Sequence, residues 1–175
     1  MSDFAKPALQ LLDSVSEWTG RVTAWFTSVL VVLMCYDVVM RYLFSQTAVW
    51  IAEMEWHLFA LIFLLGAAYT LKDDKHVRVD VFYTNFSPKK QAWVNLTGTL
   101  FFLIPFCLIV IYTSFFYAEK SWTIGEGSPD PGGLPARYLI KSAITLGFVF
   151  LLLQSVAEVI RSIRTLFTSS PQNHV

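Results

Sequence analysis

The chain has 175 residues, of which 55% are hydrophobic, 16% aromatic and only 15% charged, whereas ordinary soluble domains carry about 45–50% apolar and about 25% charged residues. Its 13 Lys and Arg residues are balanced by 13 Asp and Glu, so it lacks the basic excess expected of a nucleic-acid partner. The composition excludes an ordinary soluble domain and points to an integral membrane protein.

In chain order, residues 1–20 come first, with Asp3, Lys6, Asp13 and Glu17 scattered among apolar positions and Arg21 just after them. A removable signal has a basic start, an apolar core of about 7–15 residues and a small-residue cleavage site. This mixed stretch ahead of a full-length apolar run does not fit that pattern. Leu11, Leu12, Val15 and Trp18 fall on one helical face and suggest an amphipathic lead-in. A loosely ordered tail before Ser16 fits the same residues equally well.

Apolar stretches at 22–44, 49–71, 92–117 and 138–160 each reach the roughly 20 residues needed to cross a bilayer. Each is expected to be helical, because a span in lipid must satisfy its own backbone polar groups. The expected fold class is an all-α membrane protein with four transmembrane helices in a single membrane domain, residues 1–175. Pro105 lies inside the third span and predicts a kink. From Pro88 to Tyr117 that helix would reach roughly 45 Å, longer than the bilayer's hydrocarbon core, so tilt or a protruding end is expected.

Between spans two and three the chain becomes charge-dense: Lys72, Asp73, Asp74, Lys75, His76, Arg78 and Asp80, with Val77, Val79 and Val81 threaded between. The alternation alone would suggest a strand, but a lone strand edge beside lipid leaves its amides without partners. We therefore expect an interfacial segment over 76–87, with Val81, Phe82 and Phe86 pressed toward lipid or a partner. Ser87 and Pro88 provide a cap and a first helical residue for span three. The loop 118–137, rich in glycine and proline, is expected to be a series of turns and a candidate docking surface. It has no phosphate-cradling motif.

Lysine and arginine asymmetry favours cytoplasmic termini. That arrangement puts Lys6, Arg21, Lys72, Lys75, Arg78, Lys89, Lys90, Arg161 and Arg164 inside, and leaves Arg41, Lys120, Arg137 and Lys141 outside. Loop 118–137 is then periplasmic.

Ionisable groups within spans are functional candidates by default. Asp37 and Arg41 are four apart on one face and can pair, and Glu53 and Glu55 open span two just across a short turn. A proton or ion path would have to continue into the other spans. There only Asn95, Thr97 and Thr99 in span three, and Lys141 and Glu158 near opposite ends of span four, are available. The favoured reading is a neutralised cluster that pins the first hairpin or docks it on another subunit. Cys35 and Cys107 are expected to be packing residues without a disulfide. Glu53 and His57 match no helical metal motif. His57 and His76 would lie roughly 28 Å apart along a helix, which rules out bis-histidine haem ligation within one membrane layer. No cofactor, metal or enzymatic activity is expected.

Several ordered pieces suggest a family: Arg41-Tyr42 with Phe44, Trp50 with Glu53 and Glu55, Leu64-Leu65-Gly66-Ala67-Ala68, His76-Val77-Arg78-Val79-Asp80-Val81, and Gly133-Leu134-Pro135. Over about residues 20–165 this set resembles the small membrane (DctQ-like) subunit of tripartite ATP-independent periplasmic (TRAP) transporters. The resemblance implies a non-enzymatic, four-helix partner in a bacterial inner membrane. That partner would scaffold a separate large membrane subunit, which takes up organic acids on a sodium gradient after delivery by a periplasmic substrate-binding protein. It assigns no transported-ligand residue to this subunit. In that setting Asp37, Arg41, Glu53 and Glu55, with the shelf residues His76, Arg78 and Asp80, are candidate structural or partner-docking residues. Two rivals are weighed against this reading. A self-sufficient small exporter has tighter loops, and a respiratory membrane anchor would need facing haem ligands.

Overall fold

The structure is a computed structural model that describes residues 5–73 and 86–168. The centre of the charged connector, including His76, Arg78 and Asp80, lies outside the described residues.

Among the described residues, four helical spans run up and down. Helix α1 (Ala5–Leu43) joins the lead-in and the first span without a break, and α2 (Val49–Lys72) returns. The third span consists of α3 (Pro88–Gly98) and α4 (Ile104–Thr123), joined by a π-helical turn at Thr99–Leu103. Helix α5 (Tyr138–Thr168) forms the fourth span. Each span is long and apolar enough to cross a membrane, and the described residues form no strand. The chain is thus an all-α, multi-pass membrane protein. We call the end that holds the turns at 44–48 and 124–137 the loop end, and the opposite end the tail end.

The continuous α1 settles the open question about the lead-in. Leu11 and Trp18 face outward, while Leu9, Ser16 and Thr19 turn inward. Arg161 of α5 donates to Asp13, and Lys72 of α2 donates to Glu17 at 2.5 Å. These ties hold the lead-in against the bundle.

The third span is interrupted where its proline lies. At Pro105 the chain inserts a π turn, in which the Ile104 N–H reaches back to the Thr99 carbonyl. Proline lacks an N–H and crowds the preceding turn, and one wide turn just before it relieves that conflict. From Pro88 to Thr123 the span is 36 residues long, or roughly 54 Å. Ser87 occupies the N-cap position with Pro88 following, but its side chain makes no capping bond.

Helix α5 is the central strut, packing on α1, α2, α3 and α4. Its interfaces use small residues, as close approach between membrane helices requires: Ala68, Cys107, Ser155 and Ala157 are fully buried. Leu71, Cys107 and Leu151 form the apolar centre, with Ala67, Leu103, Phe148 and Leu152 around it. Ser16 donates to Gln154 at 2.6 Å across the α1–α5 crossing. Cys107 packs as expected, whereas Cys35 is exposed and serves no internal packing.

Candidate functional site

The most developed polar site lies at the loop end, where α2 meets the turn between α4 and α5. Helix α4 continues through Thr123, so residues 118–123 belong to the helix and the turn itself begins at 124. Ala118 and Ser121 are buried against the bundle, and that packing extends the helix until Gly125 takes a left-handed φ of 61°. The following DPGG stretch forms a tight turn. The Gly133 N–H donates to the Asp130 carbonyl at 3.0 Å, with Pro131 at the first central position and Gly132 at φ 80° at the second. That is the residue pattern of a type II turn. The Ser128 N–H donates to the Leu134 carbonyl at 3.0 Å, and the Arg137 N–H to the Glu126 carbonyl at 2.9 Å.

Glu53 anchors this loop. It is 5% exposed and accepts from Ser128 Oγ at 2.5 Å, from the Leu134 N–H at 2.5 Å and from Arg137 Nη2 at 3.4 Å. A carboxylate has lone pairs enough for all three donors, and each charge-assisted bond is stronger than its neutral counterpart. Gly133 lets the loop close this tightly: a Cβ there would stand 2.3 Å from Ser128 Oγ and 2.7 Å from Glu53 Oε2. Beside it, Lys141 of α5 pairs with Glu126 and stands 4.0 Å from the Tyr117 ring centroid. The Arg137 guanidinium lies 6.0 Å from the Trp56 ring centroid.

Asp37 and Arg41 pair as expected within α1, with Asp37 buried at 5% exposure. Ser45 then takes a left-handed φ of 53°, and the Gln46 N–H returns to the Met40 carbonyl at 3.1 Å to close the turn. The expected single cluster does not form. Glu53 turns to the 128–137 loop, and Arg41 keeps Asp37. Glu55 is half-buried and forms no ion pair among the described residues. His57 points its Nδ1 at the Glu53 carbonyl, 2.5 Å away within its own helix. Ser128, Leu134, Arg137 and Glu126 had not been singled out as functional from the sequence. The available signal was the DPGG turn followed by a cation at the mouth of span four.

The tail end has its own network. Arg161 joins Asp13 to Glu158, and Asn95 donates to Glu158 at 3.1 Å. Charged contacts thus gather at the two ends of the bundle. Between them, among the described residues, lie apolar contacts and a hydroxyl pair, Ser114 with Thr145 at 2.8 Å.

Residues 30–165 match the family described as tripartite ATP-independent periplasmic transporters, DctQ component. The chain belongs to this family. It is also similar to the C4-dicarboxylate TRAP transporter small permease protein DctQ of Vibrio cholerae serotype O1, at 27% identity over 127 residues. That alignment covers 70% of this chain and 53% of the relative, so the chain spans about half the length of the curated relative it matches. The family assignment makes the chain a DctQ component of a TRAP system, a class of transport protein.

Proposed function

We propose that this chain is a passive bracket. It is a single membrane domain that braces a separate large membrane subunit while that subunit moves an organic acid inward on a sodium gradient, after delivery by a periplasmic substrate-binding protein. One observation carries the reading: among the described residues the charged contacts lie at the two ends and close on one another, as suits a rigid part more than an ion path. The long spans and the exposed rings of Trp18, Trp25, Trp50, Trp93 and Trp122 favour a fixed depth in the bilayer. Both termini are cytoplasmic in this reading. The loop at 124–137 is then periplasmic, and its clasp presents a pre-shaped surface toward the binding protein. Arg41, paired with Asp37 within α1, meets the large subunit in this reading together with Glu55, His76, Arg78 and Asp80.

The test is co-expression with the large subunit in a bacterial inner membrane. Charge reversal at Arg41 or Asp80 should lower recovery of the complex and cut sodium-dependent uptake of a C4-dicarboxylate in proportion. Intact complex and full uptake in both variants would remove the docking role. Solute transport by the purified chain alone would overturn the passive reading altogether.

A further inference from the structure

At the loop end, α2 and α4 flank a slot of about 240 Å³ over the surface of α5. Trp56, Ala60 and Leu64 are spaced by four and run down one face of α2 into the membrane. Ile140 and Ile144 do the same on α5, and Tyr117 of α4 flanks the mouth. Arg137 and Lys141 form the rim. The slot is therefore apolar at spanning depth and cationic at the membrane surface.

The rim also has donors to spare. Arg137 carries five N–H groups; among the described residues its side chain reaches Glu53 through Nη2 at 3.4 Å, and the side chain stays partly exposed. Lys141 has three N–H groups; one goes to Glu126 and one is engaged by Tyr117, which leaves one for an occupant. An occupant that fits both halves has apolar chain below and acceptor oxygens above. The volume lies under the roughly 300–1,000 Å³ of enclosed small-molecule sites, so it suits part of a chain whose remainder lies in the bilayer.

We propose that this slot binds one phospholipid. An acyl segment lies along Ala60, Leu64, Ile140 and Ile144, and phosphate and ester oxygens accept from the exposed edge of the Arg137 guanidinium and from Lys141 Nζ. Glu53 and Glu126 already balance the two cations, so recognition rests on acceptor oxygens and geometry more than on net headgroup charge. Phosphatidylglycerol and phosphatidylethanolamine should therefore bind alike, and diacylglycerol, which lacks the phosphate, more weakly. The site belongs to this chain alone and does not depend on the transporter reading.

Native mass spectrometry of the full chain in detergent tests it, with phosphatidylglycerol, phosphatidylethanolamine, diacylglycerol or inorganic phosphate added separately. The expected result is one retained molecule of either phospholipid at similar occupancy, about tenfold weaker retention of diacylglycerol and no mass shift with inorganic phosphate. Ala60→Phe and, independently, Ile144→Phe fill the slot and should release the lipid. Leu139→Phe, at an exposed position outside the slot, should keep it. Thermal melting of each variant identifies any that fail to fold. The proposal is overturned if diacylglycerol is held as well as the phospholipids, or if inorganic phosphate alone is held. Wild-type lipid occupancy in both folded slot variants, or no retained lipid at all, overturns it too.

Discussion

The carboxylate of Glu53 accepts the backbone N–H of Leu134 at 2.5 Å, across 81 positions of sequence. A helix that starts in the membrane thus holds a loop between two other spans. Backbone amides in loops usually rely on water or local turns, but this one depends on a distant side chain. Glu53→Gln keeps the shape and offers only one acceptor oxygen, so it cannot serve Ser128 and Leu134 as the carboxylate does. Hydrogen exchange at the Leu134 amide should accelerate by about tenfold or more, with little change in the middle of α5. The same substitution at Glu55 should leave that amide protected. Equal effects at both positions would remove the anchor role from Glu53.

The two adjacent glycines of the loop should respond for different reasons. Gly132 has open space around it, yet its φ is 80°, a region that costs an ordinary residue about 1–2 kcal/mol. Asparagine tolerates that region better than alanine, so Gly132→Asn should be milder than Gly132→Ala. At Gly133 the obstacle is contact with Ser128 and Glu53, and asparagine should fare no better than alanine. Unfolding midpoints of the four variants separate strain from crowding. A Gly133→Ala protein as stable as wild type would mean that the loop closes less tightly than described.

Acid should loosen the same end of the bundle. Glu126 lies in the loop outside the spans, and its carboxyl is held below the ordinary value of 4.5, first by the hydrogen bond from Lys141. The unfolded chain therefore binds a proton here at higher pH than the folded one. The contribution of this group is fully present above about pH 4.5 and is lost as pH falls through the lower folded value. Thermal midpoints measured from about pH 7 to about pH 3 should show that loss. Glu126→Gln should flatten this part of the curve while lowering the plateau above it. An unchanged acid limb in the variant would assign the pH response to other carboxylates.

What could be read from the sequence followed from how local the deciding physics is. The four spans were legible because bilayer thickness imposes a run length that few other structures need. The Asp37–Arg41 pair was legible because four residues make one helical neighbourhood, and the DPGG turn because its glycine and proline sit where the backbone requires them. Glu53 was placed beside Arg41 because they are near in sequence. Its actual partners arrive with a loop more than seventy positions away, which no local pattern encodes. The loop was expected to begin at 118 from its composition, but burial of Ala118 and Ser121 carried α4 onward. Pro105 signalled a disturbance correctly. That the disturbance includes a π turn depends on the packing around the helix, which the proline alone does not specify.

Helix α5 lies close against α2 at Gly147, and two glycine substitutions of opposite sign test whether that approach holds the bundle together. A Cβ on Gly147 would lie 2.9 Å from both the Cβ and the carbonyl oxygen of Leu64, and backbone cannot step aside as a side-chain tip can. Gly147→Ala should push α5 from α2 and cost about 1–3 kcal/mol. Gly98 sits at the end of α3 with helical φ and ψ and nothing within 4 Å of an added Cβ. There alanine removes only the flexibility of glycine in the unfolded chain, and Gly98→Ala should stabilise by about 0.5–1 kcal/mol. Denaturant unfolding in mixed micelles, followed by tryptophan fluorescence, would compare the two. Stabilisation by both would show that α2 and α5 have room between them and that the close contact is not what joins them.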